Sequence, residues 1–155
     1  MTAIDIVKDL VNLSLTATVE LDAPVANVWA VWADPRKLEQ WWGPPTYPAT
    51  VPRHELTPGG TVHYFMTGPE GDRFYGLWRV LEVDAPSRLQ IEDAFADEHF
   101  VADANLPTNI TEVTITVLGE NRTRMISHTV FPSAEAMRQT LEMGVEDGMR
   151  AAMWR

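Results

Sequence analysis

The chain has 155 residues, 45% of them hydrophobic and none of them cysteine. One domain of that size buries about two thirds of the surface its unfolded chain exposes, and lack of cysteine excludes disulfides and thiolate chemistry, as suits a reducing compartment. Twelve basic against twenty-two acidic side chains give a net charge of −10, which repels phosphate backbones and anionic membranes and argues against nucleic acid as a partner. No run of eighteen apolar residues occurs, and the start "MTAIDIVKDLVNLSLTATVEL" lacks the basic, then continuously apolar, pattern of a secretory leader. The expectation is a cytoplasmic protein without membrane insertion, its acidic excess serving solubility.

In chain order, "LSLTATVEL" alternates Leu13, Leu15, Ala17, Val19 and Leu21 with polar neighbours and predicts a half-buried strand. Val25, Val28, Trp29 and Trp32 then recur at helical spacing, one stripe of a short helix with Pro24 in its first turn, and Asp34 with Pro35 restarts the chain as N-cap and first residue of a second short helix, "PRKLEQWW". Trp41 and Trp42 end that helix and run into four prolines within nine residues, Pro44 to Pro52, a stretch that is neither helix nor interior strand. From Val51 onward, turn signals separate "TVHYFMT", "RFYGLWRVLEV" and "RLQIEDAF", a meander of strands. "ADEHFVADANLPTN" has no period and predicts a loop, and "TEVTITVL" and "TRMISHTVF" complete the strands. Ser133 is the N-cap of a last helix running to Arg155, about 21 residues and about 30 Å long. Met137, Leu141, Gly144, Val145, Gly148 and Ala152 share one face of it. Each glycine there costs about 1 kcal/mol relative to alanine, so Gly144 and Gly148 mark either close packing against a sheet or space left open beside it.

This order predicts an α+β helix-grip fold: a curved antiparallel sheet of about seven strands around a long C-terminal helix, with two short helices after the first strand forming a lid. Trp41 and Trp42 would plug the open end, as packing or as part of a ligand wall. "APVANVWAVWADPRKLEQWWGP", "PGG", "VLEVDAPSRLQIEDAF" and "FPSAEAMRQTLEMGVEDGM" resemble the START-related, pollen-allergen-like superfamily, and within it the branch similar to the activator of heat-shock-protein-90 ATPase. The resemblance covers the chain from about Leu13 on and implies a deep cavity between sheet and helix. It implies lipid or polyketide binding, polyketide cyclisation, or assistance to a chaperone, without choosing among them. Many relatives carry tryptophan after the helix glycine where this chain has Val145, which implies a roomier cavity or a different filler, and "AAMWR" stops where relatives often run further.

Catalytic chemistry is sparse. Ser127 and His128 are neighbours in a strand and point to opposite faces. His54, His63, His99 and His128 show no metal spacing, so no metal and no cofactor is expected. Asp93 shares parity with Leu89, Ile91 and Phe95, a carboxylate on the apolar side of its strand, either bonded to nearby backbone or anchoring a ligand or proton transfer. His128 shares parity with Ile126 and Val130 and reads as a core histidine or a second acid-base candidate. The expected wall is Trp41, Trp42, Tyr64, Met66, Trp78 and Phe95 from lid and sheet, with Met137, Leu141, Gly144 and Gly148 from the helix. Three functions compete: binding of a small hydrophobic or aromatic molecule, a cyclase or hydrolase using Asp93 or His128, and a co-chaperone module. A homodimer and a chaperone are the protein partners considered, with Met143 and Met153 off the buried helix face.

Overall fold

The architecture comes from a computed structural model, which describes residues 3–42 and 46–142. Eight strands form one antiparallel sheet: β1 (Ala3–Asp9), β2 (Ser14–Leu21), β3 (Ala49–His54), β4 (Thr61–Thr67), β5 (Arg73–Asp84), β6 (Arg88–Ala96), β7 (Asn109–Gly119) and β8 (Arg122–Val130). Three helices accompany them: α1 (Val25–Ala33), α2 (Pro35–Trp41) and α3 (Ala134–Glu142). The sheet order is β1-β2-β8-β7-β6-β5-β4-β3, so β3 to β8 is an unbroken meander and β2 crosses over to pair with the last strand. The fold class matches the expectation, with one strand more than the seven expected. The addition is β1, "AIDIVKD", which pairs with β2 through a short turn at residues 10–13.

The helices start where capping chemistry places them. Asp34 accepts a hydrogen bond from the Arg36 N–H at 2.9 Å, with Pro35 in the first turn of α2. Ser133 accepts from the Ala136 N–H at 3.0 Å at the start of α3. Pro24 sits at the N-cap of α1 and not inside its first turn. Helical residues beyond Glu142, and with them Gly144, Val145, Gly148 and Ala152, lie outside the described residues.

The lid helices show why the sheet must bend. On one side α2 is bonded to the edge strand: Arg36 donates to the Val51 carbonyl at 2.8 Å, and the Val51 N–H donates to Glu39 at 2.7 Å. His54 Nε2 lies 2.9 Å from the Trp32 carbonyl. On the other side the Trp32 indole N–H donates to Met125 Sδ at 3.2 Å, and Thr123 donates to the Ala23 carbonyl at 2.8 Å. In a flat sheet β3 and β8 would stand five strand spacings apart, about 24 Å. One helix pair touches both because the sheet curls.

The concave face holds the main core, in which Val28, Trp32 and Leu38 from the helices meet Val19, Val62, Trp78, Leu89, Ile91 and Val113 from the strands. A second, smaller cluster joins Leu15, Phe131 and Met137 with Ile6, Leu13 and Leu141 where α3 meets β2. The sheet's two margins differ. Around Thr50 and Arg53 the pairing of β3 shifts register, Pro52 offers no N–H there, and the Val51 backbone is taken by α2. β1 runs in unbroken register with β2 from Ala3 to Asp9.

Candidate functional site

Three neighbouring strands build the site. Tyr64 on β4 stands opposite Gly76 on β5, and Gly76 stands opposite Phe95 on β6. One step along, Trp78 on β5 stands opposite Asp93 on β6. The Tyr64 hydroxyl donates to Asp93 Oδ1 at 2.8 Å, so the phenol spans β5 to reach the next strand but one. It can do so only because residue 76 has no side chain. A Cβ built there would overlap the Tyr64 hydroxyl and its ring carbons. A glycine inside an otherwise bulky strand marks such a close approach, and "YGLWR" carried that signal although the sequence reading did not use it.

The indoles surround this pair. Trp78 is fully buried; its ring meets Trp42 edge to face, with centroids 4.9 Å apart, and Trp42 meets Tyr64 in the same way at 5.7 Å. Trp32 ties the group to the lid, 4.6 Å from Trp41 and 5.9 Å from Trp78. Such pairs add about 0.5–1.5 kcal/mol each beyond their burial. The Trp41 N–H is bonded to the Val31 carbonyl at 2.9 Å. The Trp42 and Trp78 N–H groups are buried with no hydrogen-bond acceptor among the described residues. Trp42 lowers the Tyr64 pKa slightly, but its contact with the phenol falls short of hydrogen-bond geometry. Edge-to-face packing gives such an N–H the π face of a neighbouring ring.

Electrostatics set the pair apart from the other described residues. Burial raises the Asp93 pKa from 3.8 to about 7, and the bond from Tyr64 only partly offsets this. Tyr64 is itself pushed well above its ordinary value, first by burial and then by the neighbouring carboxyl. Asp93 as a residue keeps partial solvent access, while its carboxyl group is enclosed closely enough to lose most of its hydration. Among the described residues no positive side chain contributes to either shift.

The other expected residues separate. Trp41, Trp42, Tyr64, Met66 and Trp78 belong to the main core or pack against it. Met137 and Leu141 sit in the second cluster and line a groove of about 500 Å³ with Leu10, Leu13, Ala134 and Arg138. Phe95 shares the strand parity of Asp93 but is half exposed, beside a smaller hollow bounded by the loop that includes Val101 and Leu106. Gly144 and Gly148 lie outside the described residues. His128 is corrected: it stands on the convex face, exposed, 2.7 Å from Thr16 Oγ1 and opposite Glu112. Parity with Ile126 and Val130 suggested the core, but Arg122 and Arg124 share that parity, and two charges outweigh two aliphatics when a strand chooses its wet side. The inward residues of β8 are Thr123, Met125, Ser127 and Thr129, all buried, with Thr129 bonded to Thr111 at 2.8 Å. This polar inner row was missed because hydroxyl-bearing residues read as solvent-facing. Among the described residues no group of three or more His, Asp or Glu could hold a metal ion, and no helix is long and apolar enough to cross a membrane.

Comparisons with known proteins agree with this architecture. The family model "Activator of Hsp90 ATPase homolog 1-like protein" matches residues 22–155. A Mycobacterium smegmatis protein of known crystal structure is 44% identical, with 97% of this chain and 92% of that one covered and a TM-score of 0.85. An Arthrobacter aurescens protein solved by NMR is 46% identical over 96% of this chain and 86% of that one, with a TM-score of 0.88. A Staphylococcus epidermidis protein is 27% identical over 96% and 88%, with a TM-score of 0.82. No curated protein matched. With the curved sheet, the lid helices and a family match over most of its length, the chain belongs to the activator of Hsp90 ATPase homolog 1-like family.

Proposed function

We propose that the protein binds a small hydrophobic or aromatic molecule between the concave face of the sheet and the C-terminal helix. The observation that carries this reading is the Tyr64–Asp93 pair, a bonded polar couple set into the wall of indoles formed by Trp42 and Trp78. An apolar surface with one or two fixed polar groups is what a small-molecule site requires. A protein stabilised by its core alone would do better with an apolar pair at these positions, because a desolvated carboxyl without a cation costs free energy. Native mass spectrometry of the purified protein tests the reading by looking for a co-purifying small molecule. Titration of the emptied protein with aromatic compounds, followed by indole fluorescence, tests it independently. A ligand-free spectrum together with no fluorescence response to a broad aromatic panel would reject it.

A second reading is favoured by one observation, the raised pKa of Asp93. A carboxyl that titrates near neutrality can give or take a proton at working pH, as a cyclase or hydrolase needs. In that reading Asp93 is the acid or base, Tyr64 orients it, and His128, on the opposite face, has no part. Retention of full turnover by Asp93→Asn, in any reaction found, would eliminate this role. Chaperone activation rests on the family description alone. Met143 and Met153, considered for docking, lie outside the described residues, and the ATP turnover of purified Hsp90 with and without the protein checks it.

A further inference from the structure

We propose that Asp93 selects, among hydrophobic molecules, those that present a hydroxyl or amine donor from their ring system, and that it does so through the oxygen Tyr64 leaves free. The inference rests on the binding reading above and narrows its ligand class.

The geometry divides the carboxyl in two. Oδ1 accepts the Tyr64 hydroxyl, whereas Oδ2 receives no hydrogen bond from any described residue. The residue keeps partial solvent access, so in the free protein water can serve that oxygen. Covering it with a purely apolar molecule would strip the water and put nothing in its place, at the full cost of an unsatisfied buried acceptor. A molecule with a suitably placed O–H or N–H replaces the water while its ring system packs beside the partly exposed Trp42. The Tyr64 hydroxyl already spends its proton on Oδ1, so it does not compete for the same role. The site therefore penalises ligands without a donor.

The neighbours leave Asp93 alone in this task. Across the sheet it stands opposite Trp78 on β5 and Asn109 on β7, neither of them ionisable. Glu92 has the opposite parity and pairs with Arg79 on the convex face. Among the described residues Tyr64 is the one titratable group that acts on the carboxyl. Because burial raises the Asp93 pKa to about 7, the acceptor passes from acid to carboxylate around neutrality, and the charged form is the stronger acceptor.

The test uses two probes of the same ring system, 2-naphthol and 2-methoxynaphthalene, titrated calorimetrically into the emptied full-length protein. At about pH 8 the naphthol should bind about tenfold more tightly, the scale of one hydrogen bond to a charged group. The advantage should shrink at about pH 6, where Asp93 is mostly protonated. Asp93→Leu should abolish the difference between the probes. Should that variant not fold, the wild-type comparison at the two pH values decides by itself. Equal affinity of both probes at both pH values overturns donor selection and leaves hydrophobic binding standing. Failure of both probes to bind overturns donor selection for this ring system, and the binding reading is then decided by the mass spectrum and the aromatic panel described above.

Discussion

Gly76 is the residue on which the site depends, although it contributes no chemistry. Its missing side chain is the space the Tyr64 phenol occupies on its way to Asp93. Gly76→Ala should therefore displace the ring, break the bond to the carboxyl and cost about 1–3 kcal/mol, as overpacking a filled core does. Urea denaturation would measure the loss, and an unchanged midpoint would show that the phenol moves aside freely. Asp93 makes a prediction of the opposite sign. Its folded pKa, about 7, lies above the ordinary 3.8, so between those values the folded state holds a proton that the unfolded chain releases. Stability then falls as pH rises from about 4 to about 7, and the penalty persists above that range. Asp93→Asn, which keeps an acceptor for Tyr64 but cannot ionise, should gain stability relative to the wild type across that window, by a few kcal/mol at most. A difference between the two that does not vary with pH would show that the carboxyl is not desolvated in the fold.

Elements bring these residues together, and here the sequence was most legible. Asp34-Pro35 and Ser133 declared the starts of α2 and α3 because a cap needs a particular side chain at a particular place, and both caps are present. Loss of the α2 cap in Asp34→Ala should cost about 1 kcal/mol and loosen the helix that carries Trp41. Thermal denaturation reads the first effect, and a shift of indole emission to longer wavelength reads the second. A variant with the wild-type melting temperature would mean that Glu39 and Arg36, anchored to Val51, hold the helix unaided. Legibility failed where pairing, and not periodicity, decides. The apolar residues of β1, Ile4, Ile6 and Val7, lack a clean period of two, and it is the unbroken ladder with β2 that makes them a strand. β8 alternates clearly, but which side is wet follows from its partners: His128 faces Thr16 and Glu112, and Ser127 faces Ala17 and Val113. The Tyr64–Asp93 bond crosses 29 positions of sequence, and no local pattern announces it. Asp93 was singled out from its parity alone. The wall drawn around it joined residues that the fold divides between two clusters.

At the scale of the whole molecule, charge and topology act together. A net charge of −10 makes the folded chain repel itself, whereas its cross-strand pairs, such as Arg79 with Glu92 and Arg88 with Glu112, are partly solvated and contribute little each. Raising sodium chloride from about 20 mM to about 300 mM should therefore raise the melting temperature by a few degrees, because screening relieves repulsion more than it weakens the pairs. A fall would mean that the ion pairs dominate. The unlike margins of the sheet carry a different consequence. A strand arriving at β3 finds proline, a shifted register and a backbone already claimed by the lid, whereas one arriving at β1 finds a regular ladder. Among the described residues, backbone-to-backbone growth thus meets one regular ladder, at β1. Two copies joined there would consume both of those ladders, so growth through the described margins of the sheet stops at a pair.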